Sequence, residues 1–228
     1  MISVAIDGPA GAGKSTIAKK AAERLAYIYV DTGALYRSIG WYALSKEKDP
    51  ASADEVIPLL NEINVELRFE NGEQRVYLNG QDVSTLIRLP EVSMAASHVS
   101  AIPAVRDFLF SLQRELAEKN NVIMDGRDIG TVVLPNAQVK IFLTATPEAR
   151  ADRRLKQLAE AGTTVDYETL LEEIKQRDYN DSHRAIAPLK QAEDAVLIDT
   201  SEVDLEGSIE LVLNCITEKL EKLGESRS

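Results

Sequence analysis

The stretch Ser3-Val4-Ala5-Ile6-Asp7-Gly8-Pro9-Ala10-Gly11-Ala12-Gly13-Lys14-Ser15-Thr16 decides the fold. Ser3 to Asp7 reads as a short buried strand that runs straight into a glycine-rich loop. Lys14 to Leu25 then carries helical spacing, with Ile17, Ala18, Ala21, Ala22 and Leu25 on one side. Between the two, Gly8-x4-Gly13-Lys14-Ser15 matches G-x-x-x-x-G-K-[ST] in full. Triphosphate binding needs these residue types. Glycines let backbone N–H groups converge on phosphate oxygens without Cβ collisions. Lys14 supplies a point charge to the β and γ phosphates, and Ser15 offers its hydroxyl to Mg2+. The following helix aims its N-terminal donors at the same anion.

Outward from the loop, strand and helix patterns alternate. Tyr27 to Val30 is a second short strand, Ala34 to Ser45 a helix, and Ser52 opens another through Val56, Leu59, Leu60 and Ile63. The texture then changes. Val65 to Phe69 and Arg75 to Leu78 alternate with period two, and the pairs Asn71-Gly72 and Asn79-Gly80 are hairpin turn signals leading on to Gln81-Asp82-Val83. This predicts a small antiparallel sheet inserted in a βα pattern. Helical patterns resume over Pro90–Ser100 and Pro103–Lys119, followed by strands at Val122–Met124 and Val139–Leu143. Helices over Pro147–Glu160 and Tyr167–Asp181, a strand at Ala195–Ile198 and a helix over Leu205–Leu223 complete the chain, with Gly224 to Ser228 expected to fray. Five short apolar strands separated by helices predict an α/β fold: a five-stranded parallel sheet covered by helices on both faces.

A chain of 228 residues suits one α/β domain with a small insert. The formal charge of −11 argues against nucleic acid as a partner, since binding a phosphate backbone needs a basic face. No apolar run reaches the roughly 18 residues of a membrane span, and Met1 to Ile6 lacks the basic start of a signal peptide. The single cysteine, Cys215, lies in an apolar stripe, which fits a structural role and a reducing cytoplasm. His98 and His183 read as ordinary surface histidines, and Trp41 and Tyr42 as packing residues.

A P-loop implies a nucleoside triphosphate but not what is done with it. The Asn-Lys-x-Asp motif of guanine-specific switches is absent from the sequence, and motor ATPases are longer. Three places could grip a second, anionic substrate. Asp31-Thr32-Gly33-Ala34-Leu35-Tyr36-Arg37 offers a helix start with Arg37 one turn in, and an ordinary N-cap at Asp31 or Thr32 is the plainer reading. Asp125-Gly126-Arg127-Asp128 sits at the carboxyl end of a parallel strand, where ligands bind. There Asp125 is placed to hold Mg2+ directly or through water, against the alternative of a surface turn with an Arg–Asp pair. Arg150, Arg153 and Arg154 share a helical face, and Arg177-Asp178-x-x-Asp181-x-x-Arg184 continues the theme on the next helix. With Ala161-Gly162-Thr163-Thr164 as a hinge between them, two arginine-bearing helices read as a lid. Solvated faces with i, i+4 ion pairs are the alternative.

Together with Arg184-Ala185-Ile186-Ala187-Pro188-Leu189, Asp128-Ile129-Gly130-Thr131 and the P-loop, these motifs resemble the bacterial cytidylate kinases, a nucleoside monophosphate kinase family. The likeness runs from about Ile2 to Leu220. It implies a single kinase domain with core segments 1–37, 101–147 and 189–228, a monophosphate-binding insert at 38–100 and a lid at 148–188. It implies ATP on Gly8 through Thr16, with Lys14, Asp125, Arg153 and Arg154 in the transfer and Mg2+ on Ser15. CMP or dCMP would be held by Thr32, Tyr36, Arg37, Ser97, Arg106, Arg127, Asp128, Arg177, Asp181 and Arg184. Within that set Ser97, Arg106 and Asp128 face the cytosine, Arg37, Arg127 and Arg184 the monophosphate, and Arg177 and Asp181 the sugar. The resemblance further implies a cytoplasmic monomer of pyrimidine nucleotide metabolism. Two other readings remain open at this point: a kinase for a different acceptor, and a non-catalytic nucleotide-binding regulator, against which the second anion site argues.

Overall fold

A computed structural model of the chain describes residues 1–70, 73–160 and 162–225. β1 (Ser3–Asp7) leads to α1 (Lys14–Leu25), β2 (Ile28–Asp31), α2 (Thr32–Ser45) and α3 (Ala53–Leu59). Next come β3 (Val65–Glu70), β4 (Glu73–Leu78), β5 (Gln81–Asp82), α4 (Pro90–Ser100) and α5 (Pro103–Lys119). β6 (Val122–Gly126), β7 (Val139–Thr144), α6 (Pro147–Glu160), α7 (Tyr167–His183), β8 (Val196–Asp199) and α8 (Leu205–Glu225) follow. The chain divides into two compact units, Met1–Tyr29 with Asn120–Ser228, and Val30–Lys119.

The first unit is built on the five-stranded sheet, in the order β2-β6-β1-β7-β8. β1 runs parallel to β6 and to β7, and β7 runs parallel to β8. As the central strand, β1 has Val4, Ala5 and Ile6 fully buried, which is why its sequence is an unbroken apolar run rather than an alternation. The apolar stripe of α1 (Ile17, Ala21) and that of α8 (Ile209, Val212, Ile216) close over Val4, Ile6 and Ile141 in one core cluster. Each isoleucine so buried contributes roughly 1.5–3 kcal/mol. Cys215 is half-buried at the edge of this cluster. The register sets Ile6 beside Asp125 and Asp7 beside Gly126, so two carboxylates arrive at the same carboxyl edge of the sheet. No described helix is long and apolar enough to cross a membrane.

The second unit holds the antiparallel sheet β3-β4-β5. Asn79 and Gly80, with φ of 51° and 80°, both lie in the left-handed region that a two-residue hairpin turn of this type demands. The Asn71-Gly72 signal lies outside the described residues. α2 and α5 share the core of this unit: Leu35 and Ile39 cluster with Val76, Leu78, Val105 and Leu109. Period-two alternation marks where a sheet begins, but not which helices bury against it. Trp41 and Tyr42 pack on or in this cluster, as expected.

Several boundaries moved for local reasons. α2 starts at Thr32 rather than Ala34, because the Asp31 side chain caps it by accepting from the Ala34 N–H at 2.9 Å. The helix opened by Ser52 narrows after Leu59 into one tighter turn, Leu60–Glu62. α7 reaches His183, and α8 continues through Gly224, expected to fray, to Glu225, while 226–228 and Ala161 of the proposed hinge lie outside the described residues. After β6 the chain makes a wide helical turn, Ile129–Val133, in which the N–H groups of Val133 and Leu134 reach back five residues to Asp128 and Ile129 at 3.2 and 2.7 Å.

Gly8, at φ 152°, lies so close to β7 that an added Cβ would stand 1.9 Å from the Leu143 carbonyl oxygen. Backbone cannot move aside as a side chain can. Gly8→Ala is expected to cost about 2 kcal/mol or more of stability in urea unfolding. A wild-type midpoint in that variant would contradict this packing of the loop on the sheet.

Candidate active site

In the first unit, the loop between β1 and α1 keeps Gly11 and Gly13 at φ of 75° and 87°, and Gly13 itself is the N-cap of α1. No side chain caps this helix, so its first N–H groups face the loop. Lys14 is buried, and its ammonium donates to the Pro9 carbonyl at 2.7 Å, across the loop it belongs to. Burial, and then the Arg127 charge, push its pKa down to about 7, against the pull of Asp125, Asp7 and Asp181.

Ser15 Oγ donates to Asp125 Oδ2 at 2.9 Å, and the Tyr29 hydroxyl donates to Asp125 Oδ1 at 3.0 Å. The Asp125 carboxylate is buried at the end of β6 and thereby fixed in orientation. A hydroxyl and a carboxylate oxygen within one hydrogen bond of each other form a hard-oxygen pair. That chemistry fits Mg2+, which is bound through one or two carboxylates plus substrate phosphates.

Beyond β6 stands a second set of charges. Arg127 Nε donates to Asp181 Oδ2 at 2.7 Å, and Arg184 Nη2 lies 3.5 Å from Asp128 Oδ1. Burial works to raise the Asp181 carboxyl, but Arg127, Arg177 and Arg184 together hold it below its ordinary value. The structure thus brings together Arg127, Asp128, Arg177, Asp181 and Arg184. Asp7, also buried, accepts from the N–H groups of Ile129 and Gly130, both at 2.7 Å. Burial pushes its carboxyl up to about 6 against those two bonds.

The three arginines of α6 separate. Arg150 is buried and reaches the P-loop, donating to the Ala10 carbonyl at 2.9 Å and to Ala145 at 2.9 Å, while its fork grips the Asp178 carboxylate of α7. Arg153 instead donates to the Thr200 carbonyl and to its hydroxyl, beyond β8. Arg154 is exposed, with Gln157 Oε1 at 3.5 Å. Helical spacing gave the three a common face but could not tell which one turns into the fold. Asp7 and Tyr29 join the site beyond the sequence expectation, although Asp7 is a charged residue at the carboxyl end of a buried strand, the same position that marks Asp125. His183 is a surface residue, its ring stacked on Tyr179 at 4.0 Å, and His98 is exposed.

In the second unit, Arg37 Nη2 donates to Asp31 Oδ2 at 2.7 Å, over Gly33, where an added Cβ would come within 2.9 Å of the guanidinium. The ordinary N-cap and the arginine at the helix start are therefore one arrangement: Asp31 does both jobs. Arg106 is buried, 5.8 Å from the Tyr36 ring centroid, with the Ser100 carbonyl at 3.5 Å. Thr32 is buried and Ser97 half-buried.

Comparison with known proteins adds sequence relatives and fold neighbours. The family model described as cytidylate kinase matches residues 4–218. A cytidylate kinase of Caldicellulosiruptor bescii is 52% identical over 212 residues, covering 93% of this chain and 94% of that protein. One of Bacillus subtilis is 46% identical over 218 residues, covering 96% and 97%. Among solved structures, a gluconokinase from Sinorhizobium meliloti aligns with a TM-score of 0.51 at 14% identity, covering all of this chain and 98% of the other. That last likeness is one of fold alone. A family match over nearly the whole length, with relatives about half identical aligned almost end to end, places this chain in the cytidylate kinase family.

Proposed function

We propose that the chain transfers the γ-phosphoryl group of ATP to the phosphate of CMP, and of dCMP, giving ADP and CDP or dCDP for pyrimidine nucleotide metabolism. The observation that carries this reading is the pairing, within one unit, of a triphosphate loop with a second, half-buried set of arginines around the buried Asp181. A nucleotide-binding regulator has no use for the second set. ATP is assigned to Gly8 through Thr16, with Lys14 at its β and γ phosphates.

For the acceptor, the first unit offers Arg127 and Arg184 to the monophosphate, Arg177 and Asp181 to the sugar, and Asp128 to the exocyclic amine of cytosine. The second unit carries its own candidates: Arg37 for the phosphate, Arg106 and Ser97 for the base, with Thr32 and Tyr36 beside them. Mg2+ would be held by Ser15 and Asp125, the latter directly or through water, and would supply positive charge to the donor phosphates. The chain is proposed to be a cytoplasmic monomer acting on small molecules: the single cysteine fits a reducing compartment, the charge of −11 argues against nucleic acid, and the monomer is what the family resemblance implies.

The chemistry asks for alignment and charge neutralisation. The attacking group is a phosphate oxygen of the acceptor, already anionic near neutral pH, so no general base is required. A new P–O bond forms as the bond from Pγ to the β,γ-bridging oxygen breaks, roughly in line. Two polyanions repel each other, which accounts for arginines concentrated in an acidic protein. Water is a competing nucleophile, so α6 and α7 are proposed to act as a lid that closes over both substrates, with Arg153 and Arg154 turning to the transferring phosphate.

Lys14→Ala is expected to lower CDP formation by about a hundredfold or more while the fold is retained, since the positive charge that faces the transferring phosphoryl group is lost. Near-normal turnover in a folded variant would sink the mechanism. Lys14 also makes ATP binding pH-dependent. With a pKa of about 7, it is mostly neutral in the ligand-free loop at about pH 8, and a bound triphosphate restores its charge. Binding should therefore take up about one proton per site under those conditions. Calorimetry in buffers of different ionisation enthalpy reads this directly. A binding enthalpy independent of buffer would contradict it.

A further inference from the structure

We infer that Asp7 is a positioning residue for base recognition: it caps the turn after β6 in place of Asp128, and so keeps the Asp128 carboxylate turned toward the acceptor. This rests on the reading of Asp128 as the group that meets cytosine.

Asp128 stands at the N-cap position of the wide turn Ile129–Val133. An aspartate there ordinarily folds its carboxylate back onto the second or third N–H of its own helix. Asp128 does not, since its side chain makes no capping bond. The first two N–H groups of the turn, those of Ile129 and Gly130, instead donate one each to the two oxygens of Asp7, at 2.7 Å. Asp7 comes from the end of the central strand, far away in sequence. Short bonds to both oxygens of an ionised group are the strong kind.

The fit is close. A Cβ on Gly130 would stand 3.3 Å from Asp7 Oδ2 and 3.1 Å from Lys140 Cδ, so only glycine lets the N–H approach this carboxylate unhindered. The arrangement also sets two carboxylates near each other, and the Asp128 charge works against ionisation of Asp7. A turn that capped itself with Asp128 would avoid both the second buried carboxylate and the repulsion. What the borrowed cap secures is the direction of Asp128, whose Oδ1 lies 3.5 Å from Arg184 Nη2 rather than on its own backbone.

Removal of the Asp7 acceptor would leave two buried N–H groups to be satisfied. Asp128, at the N-cap position, is placed to take over the Gly130 N–H. The turn would then survive, capped in the ordinary manner, while the base-reading carboxylate would be lost. A merely structural aspartate would, when replaced, depress turnover of every acceptor alike. A positioning one alters the choice between acceptors.

The test is the ratio of kcat/KM for CMP to that for UMP, measured with the full chain. The variants are Asp7→Asn, Asp128→Ala and the double substitution. Asp7→Asn keeps the volume but turns an N–H donor toward a backbone donor. Each single change is expected to lower the ratio by about tenfold or more. The double variant should go no lower than Asp128→Ala alone. Equal losses for CMP and UMP in Asp7→Asn, beside a collapsed ratio in Asp128→Ala, would overturn the inference and spare the reading of Asp128. An unchanged ratio in Asp128→Ala would overturn that reading and the inference with it. If Asp7→Asn does not fold, Gly130→Ala leaves both carboxylates in place and crowds the Asp7 oxygen from the N–H. The same fall in ratio is expected there, and an unchanged ratio overturns the inference.

Discussion

A guanidinium cannot shed its charge, and four of the arginines drawn into this fold stand against a carboxylate. Pairs of this kind occur in both units. Arg127 has Asp181, Arg184 has Asp128, Arg150 has Asp178 and Arg37 has Asp31. The pairing lets a chain of net charge −11 carry clustered arginines where anions are proposed to bind. The carboxylates hold these arginines in place, and an arriving phosphate would compete with them for the cations. Neutralising two phosphate-bearing substrates then needs little reorganisation, which is where electrostatic catalysis draws its strength.

The sheet decides where these pairs can stand. β1 and β6 lie side by side and end together, so the P-loop, Asp7, Asp125 and the turn carrying Arg127 and Asp128 all emerge at one edge. Arg150 then links two parts of this unit. It touches the Ala10 carbonyl of the P-loop on one side and Asp178 of α7 on the other, one residue from Arg177 and one turn from Asp181. The triphosphate loop and the helix proposed to hold the acceptor's sugar are thus joined through a single buried side chain. Lys14 is held in another way. It answers to a backbone carbonyl, and the strain of its burial shows in its lowered pKa.

Much of this was legible in the sequence because it rests on local pattern. The P-loop, the parallel strands and the Asn79-Gly80 turn each follow from residue type and spacing. What stayed hidden depends on partners distant in the chain. Asp7 caps a turn more than a hundred residues away, and Tyr29 orients Asp125 from a neighbouring strand. The common helical face of Arg150, Arg153 and Arg154 was a fair inference from periodicity. It could not reveal that Arg150 would turn to the loop, Arg153 to Thr200 and Arg154 to the surface, since that choice belongs to the packing of α6 on its neighbours. The place of α5 in the second unit's core was hidden for the same reason: α5 looks like any amphipathic helix until its partner core is known.

The central claim is that the two cationic sets serve one reaction between ATP and a pyrimidine monophosphate. Its most direct test is ADP release from ATP across a panel of acceptors: CMP, dCMP, UMP, AMP, GMP and small phosphate-free metabolites. The account predicts turnover that depends on the acceptor and is fastest with CMP or dCMP. ADP release indifferent to acceptor, or faster with a purine monophosphate or an unphosphorylated metabolite, would contradict it.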